Sequence, residues 1–196
     1  MKYSAAMTHK VFAYIESKKM AEMIVAGKSK EEIFVEVEEE NLFSLRNINR
    51  LKNTISYVYE RLASLPQEVL EIMASSDIEV GKILLLIGIM KTDVLFGEFV
   101  YEVYRMKRIL GEWQIENRDM NDFFDEKANQ SEVIAGWSEA TIKKLKSCYI
   151  KNLAESGLIE DVRSKKIKGI ILSSKVEKML RDNGMETYLK AVKGER

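Results

Sequence analysis

Two lysine-bearing stretches carry most of the chemistry this sequence offers. The first runs from Ser138 to Ser156. Set at 100° per residue with Lys143 at zero, Ile142, Leu145, Tyr149 and Leu153 fall between about 200° and 280°. Lys143, Ser147, Lys151 and Lys144 fall between about 0° and 100°, so one face can pack while the other meets a partner. Lys146 lies on the flank. The second stretch is Arg163-Ser164-Lys165-Lys166-Ile167, followed by Lys168. A helix of the first kind fits the DNA major groove, with Ser138, Glu139, Thr141 and Lys144 near base edges and the later lysines on phosphates. Free amides at the helix start add a place for a phosphate oxygen. The basic link can follow the backbone or enter the neighbouring minor groove. The candidate DNA contacts are therefore Ser138, Thr141, Lys143, Lys144, Ser147, Lys151, Arg163, Lys165, Lys166 and Lys168. Lysines position a protein on phosphates more than they specify bases, so no sequence preference is legible.

A polar helix face with several lysines is commonly no more than a solvated face. The basic link tips the reading toward DNA, because both features land on one candidate module. Charge supports the division. The chain of 196 residues has 31 Lys and Arg against 31 Asp and Glu, a net of zero that excludes a uniformly basic nucleic-acid coat. From Ser138 onward there are 14 against 8, or +6, leaving 17 against 23, or −6, on the first 137 residues. Such asymmetry points to a basic surface on one module.

Other constellations carry less. Gly27-Lys28-Ser29 imitates the end of a phosphate-binding loop, but the motif needs a glycine five residues earlier, where Glu22 stands. Asp119, Asp122 and Glu126 share a helix face and could be imagined holding magnesium; a solvated face is the simpler reading. Cys148 has no evident His partner, since His9, the one histidine, lies near the far end of the chain. It reads as a packing residue, and a single Cys fits a reducing cytosol without disulfides. Phe99 belongs to a core stripe, whereas Tyr101 and Tyr104, beside Arg105, Lys107 and Arg108, either pack or clamp nucleic acid.

The elements that must hold these residues are nearly all helices. Lys10 to Ala26 has helical apolar spacing and stops at Gly27. Ser29 and Glu32 form a capping box for a short acidic helix to about Glu40. Ser44 to Leu65 follows, then a helix opened by Pro66 through Ala74, one capped by Asp77 through Lys91, and one capped by Asp93 with Leu95, Phe99, Val103, Met106 and Leu110 on one stripe. Short connections predict antiparallel neighbours. Asp119–Asn129, a short helix over Ser131–Trp137 and the Ser138 helix, stopped by Gly157, come next. The runs Leu158–Val162 and Lys168–Leu172 read as a β-hairpin, though their link lacks an Asn-Gly turn. Helices resume at Ser174, punctuated by Gly184. The order helix, short helix, long helix, hairpin is that of a winged helix-turn-helix. The fold class expected is mainly α: an N-terminal helical bundle over 1–115 and a C-terminal winged helix-turn-helix-like module over 116–196.

Seven segments stand in order along the chain: Met1-Lys2-Tyr3-Ser4-Ala5, Glu39-Glu40-Asn41-Leu42-Phe43, Lys91-Thr92-Asp93, Phe99-Val100-Tyr101-Glu102-Val103-Tyr104, Phe123-Phe124-Asp125-Glu126-Lys127, Trp137-Ser138-Glu139-Ala140-Thr141 and Leu153-Ala154-Glu155-Ser156-Gly157-Leu158. Together they resemble the BrxA family of bacterial BREX bacteriophage-exclusion systems. Each is weak alone, and their order along nearly the whole chain makes the match specific. The resemblance implies a small, mostly helical DNA-binding accessory protein working beside a methyltransferase and other BREX subunits. It transfers no catalytic residue, metal or cofactor. The family has also carried an inner-membrane label, with which the longest apolar run, Ile83 to Met90, is at odds: a bilayer needs about 20 residues. The N-terminal helices look like NusB-type bundles by fold-level analogy. The expectation is a cytoplasmic, non-catalytic protein that binds double-stranded DNA without inserting in a membrane. The rivals are a protein-interaction scaffold and RNA binding through the N-terminal bundle.

Overall fold

The structure, a computed structural model, describes residues 3–196. Met1 and Lys2, which open the first family-like segment, lie outside the described residues. Side chains written into the sequence start most helices. Ser29 accepts from the Glu32 amide and closes a capping box with it, so the end of the supposed phosphate loop is a helix cap. Asn47, Asp77, Asp93, Ser138 and Ser173 do the same work at their own helices, each satisfying an amide that the first helical turn leaves free.

The helices are α1 (Tyr14–Val25), α2 (Lys30–Glu39), α3 (Ile48–Ala63), α4 (Gln67–Ser75), α5 (Ile78–Thr92), α6 (Val94–Phe99), α7 (Arg105–Ile109), α8 (Asn117–Gln130), α9 (Glu132–Ala135), α10 (Glu139–Ser156), α11 (Ser174–Asp182) and α12 (Glu186–Lys193). A short 3-10 turn, Ala6–His9, precedes them. α1 begins four residues later than its apolar pattern predicts, because Val11 and Phe12 are held outside the helix. Their carbonyls accept from Arg61 Nη1 at 2.7 and 3.2 Å. Arg61 is 2% exposed, stacks 4.7 Å from the Tyr57 ring centroid, and is pushed down to about 10 by burial.

α5 is the hub: α1, α3, α4, α10 and α12 all pack on it. Its run Ile83–Met90 is buried on every side, as a helix apolar all round must be. Gly88 lets α3 approach, since a Cβ there would lie 3.0 Å from the Arg61 carbonyl oxygen. Among the described residues no helix is long and apolar enough to cross a membrane. One hydrophobic cluster runs through the chain, and the stretches on either side of residue 115 share it. α10 packs on α5 and on the 3-10 turn, α11 on α4, and α12 on α7.

The stripe expected from Leu95 to Leu110 breaks midway. α6, a π turn at Val100–Tyr104 and α7 form one rod. A π turn bonds i to i+5 and so shifts the packing face by one residue. Leu95, Phe99 and Val103 are buried as expected, but Tyr104 and Lys107 then turn inward, leaving Met106 and Leu110 exposed. Lys107 survives burial by pairing with Glu112 at 2.5 Å and Asp119 at 2.9 Å. Burial lowers its pKa, and the hydrogen bonds to those two carboxylates more than reverse this.

The β-hairpin also takes a different form. Among the described residues the pairing consists of two isolated antiparallel bridges, Ile159 with Ile167 and Gln114 with Lys166. The Glu160 amide donates to Lys166 and the Lys168 amide to Leu158, both at 2.8 Å. The other edge of the 165–167 segment is taken by the residues just before α8: Ile115 donates to Lys165 and Ile167 to Trp113. Pairing therefore centres on Ile167, and beyond Lys168 the second expected strand is irregular, with Ile171 96% exposed.

Candidate nucleic-acid interface

α10 divides as its periodicity predicts. Leu145, Tyr149, Ile150 and Leu153 are buried, with Tyr149 set among Phe96, Phe99 and Phe124 at 5.0, 5.2 and 5.7 Å between ring centroids. Aromatic pairs at this spacing add to simple burial. Cys148 is half-buried at the edge of this packing, and burial raises its pKa, which leaves the thiol protonated at neutral pH. Lys143, Lys144, Ser147 and Lys151 occupy the opposite, exposed face. Lys143 and Lys144 have no ion pair among the described residues, while Lys151 makes an exposed pair with Glu155 at 3.5 Å. Such pairs are worth little in water, so Lys151 stays available to a phosphate.

Ser138 is exposed but serves the helix. Its Oγ accepts from the Thr141 amide at 3.2 Å and shares a 3.0 Å hydrogen bond with Thr141 Oγ1. These two hydroxyls hold the start of α10, and the base-facing role expected of them requires breaking that bond.

The loop after Val162 is built around Asp161. Its Oδ1 accepts from the amides of Arg163 (2.7 Å) and Ser164 (2.9 Å), and its Oδ2 from Ser164 Oγ (2.7 Å). This side chain turns the chain where an Asn-Gly pair is lacking. Hydrogen bonds from Ser164 and Arg163 hold its carboxyl below the usual range. Lys165 takes the left-handed conformation, with φ of 50°. Arg163, Lys166 and Lys168 are exposed and carry no ion pair among the described residues.

α8 places the two stretches together. Lys165 donates to Asn117 Oδ1 at 2.6 Å and Lys146 to Asn121 Oδ1 at 2.8 Å. Asn117 and Asn121 are one helical turn apart, so the loop and α10 meet the same edge of α8. Sequence reading missed both asparagines and Asp161. Asp161, three residues before Ser164 and near the end of the run read as the first strand, was a readable turn signal; the asparagines were not, because their partners come from distant chain positions.

The tyrosine and arginine cluster is spent internally. Tyr104 is fully buried and donates to the Lys168 carbonyl at 3.2 Å. Arg105 donates to the Glu195 carbonyl and lies over Tyr101; Arg108 donates to the Lys193 carbonyl and lies over Trp113. With Lys107 ion-paired as well, this cluster packs rather than clamps. Asp119, the first of the imagined magnesium ligands, is likewise engaged by Lys107.

Fold and site thus define a class: an all-helical protein with an exposed cationic helix face and a cationic loop, each tied by one lysine to α8. The chain belongs to the BrxA family, whose model it matches over residues 1–184. It is similar to the BREX protein BrxA of Bacillus cereus (strain H3081.97), with 32% identity over 194 residues, covering 98% of this chain and 97% of that protein. It is also similar to the BREX protein BrxA of Escherichia coli O9:H4 (strain HS), with 20% identity over 181 residues, covering 92% and 85%. The crystal structure of an uncharacterized protein from Magnetospirillum magneticum has the same fold, with a TM-score of 0.83 and 19% identity over 100% of both chains.

Proposed function

We propose that this protein is a non-catalytic, double-stranded DNA-binding accessory component of a BREX bacteriophage-exclusion system, acting in the cytoplasm beside other BREX subunits. Residues 116–196 act as a winged helix-turn-helix-like module, with α10 as recognition helix and the 161–168 loop as a reduced wing; residues 1–115 are its platform. The observation that supports this reading is the joint anchoring of Lys146 and Lys165 on α8, which ties α10 and the loop to one helix. Roughly 4–6 neutralised phosphates give log affinity a slope of about −4 to −5 against log salt. Titration of duplex DNA across a salt series tests this. A slope near zero removes the electrostatic reading.

A partner subunit also has somewhere to sit. Met106 and Leu110, turned outward by the π turn, are exposed, as is Trp113, and aromatic and Met side chains are enriched at protein interfaces. A pull-down that retains other BREX subunits while duplex binding is absent favours the scaffold reading.

A further inference from the structure

A groove of about 380 Å³ runs between α7 and α8. Its apolar lining is part buried and part open. Val103 and Phe123 are buried, while Met106 and Leu110, one helical turn apart, are 39% and 66% exposed. Lone exposed apolar side chains are ordinary on a protein surface. These two are adjacent, line one groove and continue a buried apolar layer, which is the pattern of a contact surface. They face out because of the π turn before α7, and π turns are frequent at functional sites.

The rest of the lining is acidic. Glu102, Glu112, Asp119, Asp122 and Glu126 stand against Lys107 and Arg118. Lys107 is buried and held by Glu112 and Asp119, and Glu102 is paired with Lys127. Arg118 lies 3.5 Å from Glu116, which does not line the groove. Asp122 has no ion pair among the described residues, and Glu126 accepts a hydrogen bond from the neutral Gln130 carboxamide at 3.1 Å. Asp122 and Glu126 are both exposed and one turn apart on α8, a like-charge spacing that disfavours the helix and that a cation beside it relieves.

Among the described residues no group of three or more His, Cys, Asp and Glu side chains is gathered so as to hold a metal ion. The charge therefore suits cations spaced along a chain. A furrow between two helices takes a third by packing ridges into grooves. Apolar side chains at i, i+3, i+4 and i+7 of that helix meet Met106 and Leu110, while cations on its flanks meet Asp122 and Glu126. The exposed face of α10 from a second copy fits less well, because it brings Lys143, Lys144 and Lys151 but no large apolar side chain.

We infer that the α7–α8 groove docks a basic amphipathic helix of a partner protein. This gives the partner-subunit surface noted above its chemistry, and it uses no residue of α10 or the 161–168 loop.

Fluorescence-anisotropy titration of the full chain into a labelled synthetic peptide tests this. The peptide is about four helical turns of Leu and Lys, with Leu at i, i+3, i+4 and i+7; its control has the same composition with the leucines redistributed so that no helical face is apolar. The patterned peptide binds the wild type at least about tenfold more tightly than the control. Met106→Ser/Leu110→Ser weakens it by about tenfold or more, since two apolar side chains lose their burial, and leaves duplex affinity unchanged. Asp122→Lys/Glu126→Lys weakens it comparably and reduces its salt dependence. The altered side chains are all exposed, and circular dichroism checks the fold of each variant. No peptide binding by the wild type overturns the proposal, whether or not the chain binds duplex DNA. Equal affinities for the two peptides, or equal affinities in the wild type and both variants, overturn it as well. Self-association of the chain in sedimentation that Asp122→Lys/Glu126→Lys abolishes assigns the groove to a second copy and also overturns it.

Discussion

Lys165 and Asn117 stand 48 residues apart in the chain and 2.6 Å apart in space. This hydrogen bond ties the tip of the basic loop to the first turn of α8. One turn on, Asn121 holds Lys146 of α10 at 2.8 Å. The consequence is a fixed relation between two cationic elements that share no backbone pairing with each other. Preorganisation of this kind lowers the ordering cost of binding.

Removing the tether frees the loop without touching its charge. Asn117→Ala leaves the fold intact, because the side chain lies at the surface, and weakens duplex binding by a modest factor, about twofold to fivefold for one lost hydrogen bond. Backbone relaxation at residues 163–166 should report faster motion in the variant. Unchanged relaxation and unchanged affinity contradict the role given to Asn117.

The loop should also loosen in acid. Hydrogen bonds from Ser164 and Arg163 depress the Asp161 carboxyl in the folded protein. A depressed acid contributes order above its unfolded pKa of about 3.9 and loses it as pH falls through the lower folded value. Protection of the Arg163 and Ser164 amides, taken relative to their intrinsic exchange rates, is therefore present at neutral pH and is lost in that acid window. Asp161→Ala lacks that protection at every pH. Rates that are the same in the variant and the wild type at neutral pH count against this turn.

Arg61 is predicted to be a stability residue. Arg61→Met keeps most of the volume and strands the Val11 and Phe12 carbonyls that the guanidinium now serves. An unsatisfied buried acceptor costs about 1–3 kcal/mol, and each kcal/mol moves the melting temperature of a chain this size by about 2–4 °C. A thermal melt should fall by about 4 °C or more. An unshifted melt means the two carbonyls find other partners.

Much of the architecture was legible because its signals are local. Ser29, Asp77, Asp93 and Ser138 announced their helices, and Gly157, with φ of 86°, ended α10 as expected. The apolar and cationic faces of α10 followed from 100° periodicity alone. Three features were illegible for a shared reason: each is decided by groups remote in sequence. The π turn at Val100–Tyr104 rotates Lys107 inward toward Asp119. The late start of α1 depends on Arg61. The hairpin expected at Leu158–Leu172 is shortened because Trp113 and Ile115, from before α8, take the other edge of residues 165–167.

Tyr149 supplies a prediction of opposite sign to Arg61. Its hydroxyl is buried without a hydrogen-bond partner, and burial raises its pKa well above the usual value. Removing an unsatisfied polar atom while keeping the ring is neutral or stabilising. Tyr149→Phe should therefore match or exceed the wild-type melting temperature. A fall of several degrees would reveal a hydrogen bond that the hydroxyl makes in solution.

The most direct measurement is a fluorescence-anisotropy titration of duplex DNA at one moderate salt concentration. It compares the wild type with Lys143→Glu/Lys144→Glu/Lys151→Glu and, separately, with Lys165→Glu/Lys166→Glu. All three proteins should show the same helical circular dichroism, because every altered side chain lies at or near the surface. Each variant should bind at least about tenfold more weakly, since two or three phosphate contacts become repulsions. Wild-type affinity in both variants would contradict the assignment of duplex binding to α10 and the 161–168 loop.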